Sequence, residues 1–193
     1  MSKITKVVAR QVFDSRGNPT IEAEVFSKTI SASSICPSGA STGSFEAYEK
    51  RDKLNKSFLG KSVLIPVSYI NKVISKKLKN QNVHDQERID HILIKLDGTK
   101  QKKKIGANAI LSISMAVKKL SSKIKKIPLY KNFLVKKNFQ LPYPLMNIIN
   151  GGVHANNGLR IQEFMIRPDK AKSFSEAVRM CFLVINNLRS LIK

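Results

Sequence analysis

Apolar and polar residues alternate along residues 3–13 and again along 20–27, the period-2 pattern of half-buried strands. DSRGNPT (14–20) separates them with a run of turn formers too long for a tight hairpin. The pair is therefore expected to be antiparallel strands joined by a loop. TISASSIC (29–36) predicts a short third strand. Beyond residue 61 the period becomes helical. Val63, Ile65, Val67, Ile70, Val73 and Ile74 predict an amphipathic helix interrupted early by Pro66. In DQERIDHILIKLDGT (85–99), Ile89, Ile92, Leu93 and Leu96 form an apolar stripe that Gly98 ends. ANAILSISMAVKKLSSKIKK (107–126) carries almost no charge before Lys118, which predicts a buried helix. Three strands followed by helices is the order of an α+β domain, assigned to 1–126.

The pattern then changes. KIPLYKNFLVKKNFQLPYP (126–144) predicts one short helix in a connector, set at 127–140. From 141 a second unit begins. PLMNIING (144–151) predicts a buried strand, GGVHANNGLR (151–160) a loop, and IQEFMIRP (161–168) another strand. SFSEAVRMCFLVINNLRSLIK (173–193) predicts an amphipathic helix capped by Ser173 or Ser175. Earlier, PSGASTGSFEAYE (37–49) is a run of small residues leading toward a helix over Phe45–Arg51. There Ser44 serves as N-cap and Glu46 lies near the positive end of the helix dipole. On residues alone, a solvated turn and a flap over a polar ligand both account for this segment.

Composition narrows the class. At 193 residues, 42% hydrophobic and 25% charged, the chain is globular and long enough for one domain plus part of another. No apolar run is long enough to cross a bilayer, so no membrane role is expected. The N-terminus lacks the pattern of a signal peptide. Cys36 and Cys181 are too few and too distant for a disulfide framework, and fit small hydrophobes in a reducing, cytoplasmic setting. The net charge is +22, from 35 Lys and Arg against 13 Asp and Glu. SKKLKN (75–80), TKQKKKIG (99–106) and SSKIKKI (121–127) are local basic clusters without interleaved aromatics or a nucleic-acid motif. Lys, Asn and Ile are all plentiful and share A/T-rich codons, so genome composition accounts for the charge. A basic module that binds RNA or a protein partner stands as the alternative reading.

Three motifs carry a resemblance. ARQVFDSRGNPTIEAEV (9–25), PSGASTGSFEA (37–47) and PLMNIINGGVHANNGLRIQEFMIRP (144–168) resemble enolase, the phosphopyruvate hydratase of glycolysis. FLGKSV (58–63), LDGT (96–99) and KIGANAILSISMA (104–116) agree in the same order. The resemblance implies an N-terminal α+β domain followed by the first strands and helix of a TIM-like α/β barrel. It implies dehydration of 2-phosphoglycerate to phosphoenolpyruvate, with Mg²⁺ as cofactor and a homodimer as the assembly. Ser38, Gly39, Ala40, Ser41, Thr42 and Gly43 match the mobile loop that folds over substrate, and Ser41 matches the serine that reaches a second Mg²⁺. His154 and Gln162 match substrate contacts. Glu163 matches a carboxylate that contacts substrate and assists the acid expelling its hydroxyl. Arg16 matches a loop arginine with a structural role. Arg160, two residues before Gln162, departs from the family pattern and adds positive charge near an anionic substrate.

The same resemblance marks what is missing. The main carboxylate ligands of the metal, the base lysine and the phosphate-binding pair of the family have no counterpart here. A complete barrel takes about 250 residues, and only about fifty follow residue 141. The sequence is thus expected to be the N-terminal portion of an enolase, truncated within the barrel. Alone it is expected to be inactive unless a C-terminal fragment complements it. Its second unit is expected to be the first to yield to protease.

Overall fold

Strands form in the first unit where the alternation predicts them. In the computed structural model β1 (Lys6–Phe13), β2 (Pro19–Ser27) and β3 (Ile30–Cys36) make an antiparallel sheet in the order β1-β2-β3. Described are residues 2–39, 43–54, 56–133 and 139–192. The chain divides into two units, residues 1–134 and 135–193. The register, with Ala9 opposite Ala23 and Val25 opposite Ala32, puts Val7, Ala9, Ile21, Ala23, Val25 and Ala32 into the core. On the other face Arg10 reaches Glu22 through Nε at 2.9 Å and Glu24 through Nη2 at 2.5 Å. The loop 14–18 is an Asx turn: Asp14 Oδ1 accepts from the N–H groups of Arg16 and Asn18, both at 2.9 Å. Gly17 supplies the positive φ of +73°.

Helices cover the sheet. α1 (Leu64–Tyr69), a π-helical turn (Ile70–Ile74) and α2 (Ser75–Leu78) follow one another directly. Pro66 does not interrupt them, because it lies in the first turn, where its missing N–H has no intrahelical partner to lose. The buried Asp52 carboxylate serves the start of this helix, accepting from Leu64 N at 2.7 Å and from Ile65 N. Ile65 itself faces solvent, while Val63, Val67, Ile70, Ile74 and Leu78 are buried. Within the π turn, Asn71 pairs with Ala9 on the outer edge of β1. Its Oδ1 accepts from Ala9 N at 2.8 Å and its Nδ2 donates to Ala9 O at 2.9 Å.

α3 (Gln86–Asp97) starts at Asp85, whose carboxylate accepts from Arg88 N, and ends at left-handed Gly98, φ +69°. α4 (Ala107–Lys125) packs on β2, β3 and α3 and buries Ala109, Ile113, Ala116, Val117 and Leu120. Each fully buried Val, Leu or Ile side chain contributes about 1.5–3 kcal/mol. From the same helix, Lys119 Nζ donates to Ser33 O at 3.2 Å and Lys123 Nζ to Ser31 O at 2.9 Å, along the edge of β3. Burial pushes the Cys36 thiol up to about 11, with the Glu49 charge adding to it, so it stays a protonated, small apolar group. α5 (Leu129–Phe133) is the short helix expected in the connector.

The helix expected over Phe45–Arg51 is absent. Phe45 lies in a turn, and tertiary hydrogen bonds keep the residues after it out of a helix: Tyr48 N donates to Gln101 O at 2.7 Å, and Ala107 N to Tyr48 O at 2.8 Å. Asn108, buried on α4, accepts from Lys50 N and donates to Lys50 O. A helix would forfeit all four bonds, so the local preference yields.

In the second unit β4 (Met146–Asn150) and β5 (Glu163–Ile166) pair antiparallel, with an irregularity between Asn147 and Ile149. β4 is half-buried rather than buried, because β5 is its one partner strand among the described residues. α6 (Phe174–Ile192) begins at Ser173, whose Oγ accepts from Glu176 N at 3.1 Å. Glu176 reaches back to Lys172 N at 2.8 Å, a capping box set one residue further out than usual. Among the described residues of this unit, Ala177 and Cys181 are the buried apolar side chains.

Candidate active site

The loop between β4 and β5 brings together three of the residues singled out from sequence. Gly151 N donates to Gln162 O at 2.9 Å and Gly152 N to Leu159 O at 2.8 Å, closing the loop at its base. Gly151 has to be glycine: a Cβ there would collide with the carbonyl of Ile161 and with Leu159. Gly152 takes φ +53° and opens a short 3₁₀ turn, Gly152–His154. This turn carries the His154 ring back over the start of β5. His154 Nδ1 lies 3.2 Å from Glu163 Oε1, and Gln162 Nε2 lies 2.9 Å from His154 Nε2.

With the imidazole proton on Nδ1, His154 donates to the Glu163 carboxylate, while the Gln162 amide nitrogen, 2.9 Å from Nε2 and 3.4 Å from Nδ1, lies over the ring face. The carboxylate then orients the ring, as a base-orienting acid does elsewhere. The side chains of His154 and Glu163 are 29% and 33% exposed, so a small solute can reach them. The arrangement offers an imidazole, an amide and a carboxylate side by side. It suits hydrogen bonding to a polar ligand and passing a proton, through Glu163, to or from a hydroxyl.

The loop after β3 is anchored at its entry. Ser38 Oγ donates to Glu49 Oε1 at 2.6 Å and accepts from Arg51 Nη2 at 2.7 Å; the same guanidinium lies 2.6 Å from Glu49. Arg51 Nη1 also donates to Pro19 O and Lys61 O, fixing the guanidinium in place. Gly39 follows, exposed. At the far side Gly43 N donates to Glu46 Oε1 at 2.9 Å. Ala40, Ser41 and Thr42, and with them the second-Mg²⁺ contact expected of Ser41, lie outside the described residues. Arg16 contributes its backbone N–H to the Asx turn. The sequence reading missed Glu49 and Arg51. The only available signal was the charged run EKRD immediately after the small-residue segment.

The comparisons with known proteins agree with the motifs. Residues 4–133 match the family model of the enolase N-terminal domain, and residues 138–193 that of the enolase C-terminal TIM barrel domain. The chain belongs to the enolase family. Over 192 residues it is 74% identical to a protein named enolase from Pelagibacter ubique (strain HTCC1062), covering 100% of this chain and 46% of that relative. It therefore spans less than half the length of the enolase it matches.

Magnesium is the cofactor that the enolase resemblance implies. Among the described residues no group of three or more His, Cys, Asp or Glu side chains could hold a metal ion. Glu163 stands with an imidazole and an amide, whereas Mg²⁺ prefers an octahedron of carboxylate and water oxygens. The described part of this enolase chain does not fit a primary magnesium site. Nor is any of its helices, among those residues, long and apolar enough to cross a membrane.

Proposed function

We propose that this chain supplies the substrate-contacting wall of a phosphopyruvate hydratase, the enzyme interconverting 2-phosphoglycerate and phosphoenolpyruvate in cytoplasmic glycolysis. The observation that supports the reading is the contact of His154, Gln162 and Glu163 within the enolase-like stretch 144–168. In it, His154 and Gln162 hold the substrate by hydrogen bonds, and Glu163 assists the group that protonates the departing hydroxyl. Ser38 to Gly43 belong to the flap over the substrate, with Ser41 serving the second Mg²⁺. The clamp of Glu49 and Arg51 on Ser38 fixes where that flap leaves the sheet. The main Mg²⁺ ligands and the base that takes the proton beside the carboxylate have no counterpart among these 193 residues, and a C-terminal fragment is the candidate source tested below. The homodimer of the family is the expected assembly. The domain boundaries proposed are 1–126, 127–140 and 141–193.

The test is complementation. The 193-residue polypeptide, purified free of host enolase, is assayed alone and after co-expression with the non-overlapping remainder of the Pelagibacter enolase. Expected is no turnover alone, turnover when complemented, and loss of that turnover in Glu163→Gln. Turnover by the isolated polypeptide, or a fully active complemented Glu163→Gln, would refute the proposal.

A further inference from the structure

The loop between α3 and α4 carries the densest positive charge of the chain: Lys100, Lys102, Lys103 and Lys104 within five residues and no acid among them. It is firmly tied down. The buried Asp97 carboxylate accepts from Thr99 N at 3.0 Å, from Thr99 Oγ1 and from Ile105 N at 2.7 Å. Thr99 Oγ1 in turn accepts from Lys103 N at 2.7 Å. Lys50 Nζ donates to Lys104 O at 2.6 Å. Lys102 bends back onto the carbonyls of Thr99 and Lys100, while Lys100, Lys103 and Lys104 face outward.

Lys100 and Lys103 line an open cleft of about 570 Å³, together with Ser44, Phe45, Ala47 and Thr99. Phe45 is 100% exposed and contributes nothing to the core. An aromatic absent from the basic cluster in sequence is thus brought beside it in space, by the same hydrogen bonds of Tyr48 that keep 47–50 out of a helix. The nearby carboxylates are engaged elsewhere: Glu46 with Gly43 N, Glu49 with Ser38 and Arg51, and Asp97 inside the loop. A free aromatic face flanked by two unneutralised ammonium groups matches an unpaired base and its phosphates. A duplex hides its base faces and an acidic peptide has none to stack. We propose that this cleft binds single-stranded nucleic acid without sequence preference, a base stacking on Phe45 and the flanking phosphates on Lys100 and Lys103. The proposal is independent of the hydratase reading.

Fluorescence anisotropy with a labelled oligouridine tests it on the full 193-residue chain over a range of salt. K100E/K103E is expected to weaken binding at least tenfold and to flatten the log–log salt slope by about 1.4, two single-strand phosphate contacts' worth. F45A is expected to weaken binding roughly tenfold with the slope unchanged. K76E/K77E makes the same charge change in another exposed cluster and is expected to have little effect. The proposal is overturned if K76E/K77E weakens binding as much as K100E/K103E, or if F45A binds like the parent. Competition by polyglutamate or duplex RNA as strong as by oligouridine overturns it as well. Thermal unfolding by circular dichroism confirms that each variant is folded. If K100E/K103E is not, K100Q/K103Q replaces it under the same criteria.

Discussion

The two units respond differently to the same kind of sequence. In residues 1–134 the apolar periodicities become a closed core, in which Ile4, Ile21, Ile70, Ile89, Leu93 and Ile113 lose all contact with water. In 135–193 equally clear periodicities leave Leu145, Met165, Phe182, Leu183 and Val184 exposed, and among the described residues bury only Ala177 and Cys181 of the apolar side chains. A hydrophobic pattern states which face a segment prefers to bury. Whether it is buried depends on a covering layer, and the pattern is silent on that. The first unit has such a layer in α3 and α4; the hairpin and α6 of the second have little of it.

Core truncation probes this contrast hardest. Leu93→Ala or Ile113→Ala is expected to cost about 2–5 kcal/mol, measured by urea unfolding of the first unit. Phe182→Ala, on the exposed side of α6, should stay within about 0.5 kcal/mol. Similar losses at both sites would erase the distinction. Amide exchange and limited proteolysis offer a second view: α6 and the hairpin should open first, and uniform protection through residue 192 would contradict the difference.

Next in size is the polar core of the first unit. Burial pushes the Asp97 carboxyl up, but hydrogen bonds from Thr99 Oγ1 and from the N–H groups of Ile105, Thr99 and Gly106 outweigh it, so it titrates below its ordinary 3.8. The unfolded chain therefore takes up this proton more readily than the folded one. The stabilisation is complete above the ordinary value and is lost as pH falls through the lower, folded one. Asp97→Asn should cost about 1.5–3 kcal/mol at neutral pH and remove part of the acid sensitivity of the urea midpoint. An unchanged acid profile would place that sensitivity elsewhere. The smallest effect belongs to the second unit: Ser173→Ala, removing the α6 cap, should cost about 1 kcal/mol, seen as faster exchange in the first helical turn.

Legibility followed the same divide between pattern and partner. α3 could be delimited from sequence because its signals are local: Asp85 before the stripe, Gly98 after it. The strands β1 to β3 declare themselves by alternation. Phe45–Arg51 was misjudged because the deciding groups, Gln101 O and Asn108, lie more than fifty residues away. The roles of Asp52, Asn71 and Asp97 were invisible, since a polar residue serving a distant backbone has no periodicity. His154, Gln162 and Glu163 were found only through the family resemblance; as isolated residues in a loop and at a strand end they carried no signal. The structure adds that they touch.

Asn71 on β1 and the two lysines of α4 on β3 have a joint consequence. A three-stranded sheet has two rims where a foreign strand could dock and start a fibril. At Ala9 the carboxamide occupies both backbone groups such a strand would need, and at Ser31 and Ser33 ammonium groups hold the carbonyls. Two lysines, Lys119 and Lys123, in this way occupy acceptors that an incoming strand would need.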